Sequence, residues 1–391
     1  MSFVLQASAG PGIVGDEELR VKINAFALER YFARHEFTAP YLLSCSDCEP
    51  LRLTDLLAMA DEETLGMWRE LSLAYTESAG HPLLREAIAR SVADGFDSND
   101  LLVAAPEEAI FLLMHALLSA GDHVVCVTPA YQSLYEVARS IGCEVTAWLP
   151  DEARGWRFDL DGLVAQLRPT TRLVVVNFPH NPTGYAPSRD ELVDLTETVE
   201  RHGAYLLSDE MYRMLEVVPG SALPAACGLS ERAISLSGLS KSYGLPGLRI
   251  GWLATRDHGI LEKVLELKDY TTICTAAPSE ILAIVALRNR KDIVASHNQR
   301  VQRNCALLDD FFVRHSRHFT WNRPTGGSVC FPRYLGPEDT SMLADEAVTR
   351  AGIMVVPSAL FDFGDRHLRI GFGRDDLPEV AERFGAFLDQ R

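Results

Sequence analysis

Short apolar runs rich in Val, Ile and Leu recur along this 391-residue chain and alternate with helical patterns. The runs at 123–127, 144–148, 173–176, 205–207, 233–236 and 250–254 predict strands. Several are apolar without interruption, as strands buried on both faces of a parallel sheet are. Between them, 108–118, 132–140 and 189–201 carry helical periodicity. That alternation predicts an α/β domain with a mostly parallel sheet. Beyond about residue 278 the pattern becomes one long helical stretch through Leu307, then strand-like pieces at 327–331, 354–356 and 368–372. The expected division is an N-terminal segment, 1–50, contributing to a small α+β domain. A large domain then spans 51–290, and the C-terminal small domain spans 291–391.

The polar motifs fall just after the apolar runs. Pro129-Ala130-Tyr131 follows one, Asn177 to Gly184 a second, Ser208 to Tyr212 a third and Ser237 to Lys241 a fourth. Open α/β sheets place ligands beyond the carboxyl ends of their strands, so four motifs at four strand ends point to one site.

Charge and cysteine usage narrow the field. There are 37 basic and 54 acidic residues, a formal net charge of −17, and no basic stripe of the kind that wraps nucleic acid. No apolar run approaches a bilayer span, and the stretch Met1 to Ala7 lacks the basic and apolar parts of a secretion signal, so a cytoplasmic protein is expected. The eight cysteines are scattered, mostly in apolar surroundings. Only Cys45 and Cys48 form a C-x-x-C pair, without the second ligand pair that zinc needs, so no metal is expected.

The run from Ser237 through Lys241 to Arg249 and Gly251 carries the most chemistry. A nucleophilic lysine needs small neighbours so that a flat cofactor can reach its amine, and an arginine nearby can neutralise an anionic handle. The run resembles the lysine signature of the class I and II aminotransferases, fold-type I enzymes that hold pyridoxal 5′-phosphate (PLP) as a Schiff base. The resemblance spans roughly residues 75 to 374. It implies a seven-stranded type of sheet in a large PLP-binding domain, and a homodimer with shared active sites.

On that resemblance Lys241 is the imine anchor and, once freed, a general base. Asp209, in Asp209-Glu-Met-Tyr212, keeps the pyridine nitrogen protonated, because an opposite charge favours the charged form. Tyr212 and Asn181, the latter in the turn Asn181-Pro-Thr-Gly184, address the phenolic oxygen. Tyr131 stacks on the ring. The phosphate falls to Arg249, to Ser237 or Ser240, and to a helix N-terminus near Glu107. Here the chain departs from the family: Ala105-Pro106-Glu107-Glu108 replaces a glycine and a small residue, and Pro106 has no N–H to give. Tyr75 matches a tyrosine that reaches the other subunit's phosphate. Arg369 matches the arginine that forks onto the substrate α-carboxylate, with Arg374 as the nearby alternative.

The implied reaction is transfer of an amino group between an L-amino acid and a 2-oxo acid. A second resemblance points elsewhere. The stretch from Leu28 to Phe32, followed by Tyr41 to Leu51, lacks the glycine-rich opening loop of ordinary aminotransferases and is similar to enzymes of the capreomycidine synthase kind. These use PLP to eliminate a substituent from a hydroxylated arginine and close a ring. Such a substrate calls for carboxylates in the pocket, with Asp47, Glu49 and Glu77 as candidates. A non-catalytic ligand sensor on the same fold is disfavoured by the intact lysine and the lack of a basic DNA-binding segment.

Overall fold

The computed structural model describes residues 23–391; the Met1 to Ala7 stretch, on which the expectation about a secretion signal rests, lies outside them. Seven strands form the main sheet: β1 (Leu101–Ala104), β2 (His123–Val127), β3 (Glu144–Trp148), β4 (Thr171–Asn177), β5 (Tyr205–Asp209), β6 (Ala233–Gly238) and β7 (Gly251–Ala254). Their spatial order is β1-β7-β6-β5-β4-β2-β3. All neighbours are parallel except β7, which runs antiparallel to both β1 and β6. The uninterrupted apolar runs are the central strands, whose residues are buried on both faces. The edge strand β3 alone is largely open to solvent. Strand β1, four residues long, coincides with the strand-like stretch Leu101 to Val103 before the helix near Glu107 and joins the six apolar runs as the seventh member.

Around the sheet and beside it lie helices α1 (Ala27–His35), α2 (Pro106–Leu117), α3 (Ser133–Ile141), α4 (Arg189–His202), α5 (Ala277–Arg288), α6 (Arg290–Arg314) and α7 (Leu377–Asp389). Their ends obey local rules. Ser188 accepts from the Glu191 amide at 3.2 Å while the Glu191 carboxylate takes the Ser188 amide at 2.8 Å, a reciprocal cap, and Gly203 closes α4 in the left-handed region. Pro106 opens α2 at its first position, where a missing N–H costs nothing.

The long helical stretch expected from 278 to 307 is two helices. Asn289 interrupts it: its side-chain amide donates to the Val285 carbonyl at 2.8 Å and to Met59 at 3.0 Å, competing with the helix ladder. The break separates α5, buried almost all round, from α6, which has one apolar face.

The smaller α+β part centres on three short antiparallel strands, Val329–Cys330, Leu368–Gly371 and Val356–Pro357. The run expected as one strand at 354–356 serves two partners. Ile353–Met354 pairs in parallel with Tyr41–Leu42, while Val356–Pro357 pairs with Leu368 and Arg369. Packed beneath them, α6 and α7 contribute Phe311, Phe312, Phe384 and Phe387 to one apolar cluster. Among the described residues, no helix is long and apolar enough to cross a membrane.

Candidate active site

The carboxyl ends of β2, β4, β5 and β6 open on a cavity of about 700 Å³. Its wall includes Lys241, Asp209, Tyr212, Asn181, Tyr131, Arg249, Ser240, Glu107 and Arg369, brought together from strand ends scattered over more than half the chain. Arg374 lines it as well. Two expected residues lie elsewhere. The Ser237 hydroxyl faces the Glu210 carbonyl at 3.4 Å within the sheet, so of the two candidate serines it is Ser240 that lines the cavity. Tyr75 is 85 % exposed and lines a separate groove with Glu77 and His81.

The return from β6 to β7 carries both Lys241 and Arg249. Gly238 pairs with Gly251 at its base. A Cβ on Gly251 would meet Pro106 Cγ and the Ser237 carbonyl, each at 2.8 Å, so the glycine lets the start of α2 close onto the lysine loop. At the loop's tip Lys241 Nζ donates to Ser46 Oγ at 2.8 Å. Arg249 extends toward solvent, with Nη1 donating to the Pro246 carbonyl at 3.1 Å.

At the end of β5, Asp209 is buried, with one carboxylate oxygen accepting from the Met211 amide at 3.1 Å. Burial, and Glu210 next to it, push its carboxyl from 3.8 up to about 7. Asn177, at the end of β4, ties this strand end to the next turn. Its side chain donates to the Asp209 carbonyl at 3.0 Å and accepts from the Asn181 amide at 2.8 Å. Asn181 in turn accepts from Arg369 Nη1 at 3.2 Å, and Arg369 Nη2 donates to the Ser44 carbonyl at 3.0 Å. The guanidinium of Arg369 is 1 % exposed and lies between the rings of Phe32 and Phe361. Arg374 is committed differently, since Nη2 holds both oxygens of Asp47 at 3.1 and 3.0 Å.

The wall also holds residues that the sequence did not single out. Helix α1 lies along one side of the cavity, presenting Glu29, Phe32 and Glu36 at helical spacing. Glu29 accepts from the Tyr131 hydroxyl at 2.6 Å. Glu36 has no hydrogen-bond or ion-pair partner among the described residues, and burial, with Asp47 and Glu29 nearby, raises its carboxyl pKa. The Glu107 side chain faces the cavity too, and burial lifts its carboxyl to about 7. Of the three acidic candidates, only Asp47 lines the cavity. Glu49 accepts from the Asp375 amide at 3.1 Å, and Glu77 lies on the Tyr75 groove. Both cysteines of the C-x-x-C pair are buried, and burial raises the thiols of Cys45 and Cys48 to about 11 and 12.

The donor set fits a flat phosphorylated pyridine. Tyr212 Oη, Ser240 Oγ and Arg369 Nε are buried without a partner among the described residues, and all three residues line the cavity. Buried polar groups left open in this way call for a ligand or water to complete them. Pro106 and Glu107, the first two residues of α2, lie on the same wall, and of the two only Glu107 has an N–H to offer.

Residues 65–384 match the family model for aminotransferase class I and II. The chain is 32 % identical over 370 residues to a capreomycidine synthase of Streptomyces vinaceus, which covers 94 % of this chain and 93 % of the relative. Among solved structures it superposes on a PLP-dependent aminotransferase of Streptococcus suis with a TM-score of 0.88, at 28 % identity over 94 % of this chain and 98 % of that one. A PLP-dependent cyclase, OrfR, gives a TM-score of 0.87 at 28 % identity, covering 96 % of this chain and all of the other.

Proposed function

The chain belongs to the class I and II aminotransferase family, whose cofactor is PLP, and on that premise we propose that its substrate is an α-amino acid with a cationic, guanidinium-type side chain. The reaction we propose is elimination of a side-chain substituent followed by ring closure. The observation that carries this reading is the charge left over in the cavity. Its wall holds five carboxyl groups, from Glu29, Glu36, Asp47, Glu107 and Asp209. Asp47 is neutralised by Arg374. Asp209 is reserved for the pyridine nitrogen, and Arg369 and Arg249 for the carboxylate and phosphate. Glu29, Glu36 and Glu107 make no ion pair among the described residues, although Lys241 and Arg374 act on Glu36, and Arg249 on Glu107, from a distance. Half-buried carboxyl groups with no ion-pair partner favour a substrate that brings a cation over a neutral or acidic one.

Bound PLP supplies a carbonyl carbon that condenses with amines and a ring that stores an electron pair. Lys241 would anchor the cofactor through its amine, and as a free amine it would take the proton from the substrate α-carbon. Asp209 holds the pyridine nitrogen in its charged form. Asn181 and Tyr212 would hydrogen-bond the phenolic oxygen, and Tyr131 would lie against the ring. Ser240, Arg249 and the Glu107 amide at the start of α2 would hold the phosphate. Tyr75, exposed on its own subunit, would reach the phosphate of a second copy in a homodimer. Arg369 forks onto the α-carboxylate, with Asn181 steadying its guanidinium.

Transamination is the second reading, favoured by the family match over residues 65–384. One experiment separates the two. Purified enzyme is mixed with a panel of amino acids, including arginine and its hydroxylated forms, without any oxo-acid acceptor, and cofactor and products are weighed by mass spectrometry. Repeated consumption of a cationic substrate, with the cofactor recovered as PLP, supports elimination and cyclisation. Stoichiometric conversion of the cofactor to pyridoxamine phosphate, with a 2-oxo acid released, establishes an aminotransferase. Consumption of neutral amino acids only would remove the cationic-substrate reading. Lys241→Ala should lose the cofactor's imine absorbance and all turnover; retained activity would remove Lys241 from its role.

A further inference from the structure

His180 stands in the Asn177 to Gly184 turn, is 1 % exposed, and does not line the cavity. Both of its ring nitrogens are engaged. Nε2 lies 2.8 Å from the Pro129 carbonyl oxygen, and Nδ1 lies 2.7 Å from Thr183 Oγ1. A carbonyl only accepts, so the neutral ring must carry its proton on Nε2 and accept from the Thr183 hydroxyl at Nδ1. The Thr183 oxygen completes its own set by accepting from the Tyr185 amide at 3.2 Å. Phe158 packs edge-on to the imidazole, with ring centroids 5.0 Å apart. Burial lowers the His180 pKa to about 3, which keeps the ring neutral and in one tautomer across working pH.

The two segments joined by this ring carry opposite sides of the cavity. Pro129 is two residues before Tyr131. His180 directly precedes Asn181, the partner of Arg369, and Asn181 is tied through Asn177 to the Asp209 strand end. The ring therefore bridges the end of β2 to the end of β4. A few tenths of an ångström at this bridge change the separation between the Tyr131 ring and the Asn181–Arg369 pair.

We propose that His180 is a positioning residue that sets the separation between the cofactor-covering Tyr131 and the carboxylate-holding Arg369, acting through its Nε2–H bond to Pro129. This rests on the reading of the cavity as a PLP site.

The test uses three holoenzymes: wild type, His180→Gln and His180→Phe. The glutamine amide can still donate to Pro129, whereas phenylalanine fills the space and donates nothing. Two probes bleach the cofactor's visible band by attacking the same carbon: aminooxyacetate, which carries a carboxylate, and O-methylhydroxylamine, which does not. The ratio of their rate constants reads the alignment of Arg369 with the cofactor, while a general loss of structure slows or speeds both. Visible circular dichroism of the bound cofactor reads the Tyr131 side. The expected result is a wild-type ratio well above one, a drop of about tenfold in His180→Phe with an altered dichroic band, and recovery to within about threefold in His180→Gln. An unchanged ratio and band in His180→Phe overturns the proposal, as does a His180→Gln variant that falls as far as His180→Phe. If His180→Phe does not fold, His180→Gln decides by itself, since a ratio more than tenfold below wild type overturns the proposal and a ratio within threefold upholds it. A wild-type ratio near one refutes the role of Arg369 instead, and the dichroic band then decides for His180 alone.

Discussion

Burial of Asp209 leaves a carboxyl that holds its proton to about pH 7 in the folded chain, against 3.8 when unfolded. Because the folded state binds the proton more tightly, this group favours folding at low pH, and that contribution is lost as the pH rises from about 4 to about 7. Cofactor-free Asp209→Asn should lack this slope and be more stable than wild type at pH 8, by at most ~4 kcal/mol. Urea unfolding at pH 5 and pH 8 checks it, and equal slopes for the two proteins would rule it out. Glu36, without a partner on the cavity wall, gives a second expectation. A hydrogen bond to a charged group is worth roughly 1.5–3 kcal/mol. Glu36→Gln should therefore raise KM for a guanidinium substrate about tenfold or more, leaving kcat within a few-fold; steady-state kinetics reads both. Glu36 was hidden in the sequence because its role depends on helix α1 lying along the cavity, a tertiary fact that no local motif encodes. Asp209, Asn181 and Lys241 were legible because each sits a few residues at most beyond an apolar run, where the geometry of a parallel sheet leaves few alternatives.

Among the elements, α4 owes its start to the reciprocal cap between Ser188 and Glu191. Ser188→Ala should cost about 1 kcal/mol. Its midpoint in a thermal melt should fall by about one degree, with the cofactor spectrum unchanged because the cap lies away from the cavity. Strands buried on both faces announced themselves by unbroken apolar runs, and their limits in the structure agree to within a few residues. The helical stretch after residue 278 was less legible. Its periodicity continues across Asn289, and only the bonds from that side chain to Val285 and Met59 show why the helix ends there. The strand-like run near 354 was ambiguous for another reason. Five residues, Ile353 to Pro357, are shared between two pairings, and the partner at Tyr41 is remote in sequence.

For the whole molecule, the surface near Tyr75 matters most. Leu73, Tyr75 and Tyr270 are each more than four-fifths exposed, an unusual display of large apolar side chains for a chain of net charge −17. Under the homodimer reading, Tyr75→Ala should weaken PLP binding about tenfold while sedimentation still shows a dimer. A monomeric wild-type enzyme with full affinity would exclude a shared site. Contacts between the two ends of the chain also govern how the cavity comes into being. Arg369 and the Ser44 carbonyl it holds are 325 positions apart, and Tyr41 pairs with Ile353. A ribosome adds roughly 5–20 residues each second. The Ser44 carbonyl thus waits roughly fifteen seconds to a minute for Arg369, and Ser46 waits roughly ten to forty seconds for Lys241. The pocket is completed only once Arg369 has left the exit tunnel, so the cofactor is captured after the small domain has been made rather than before it.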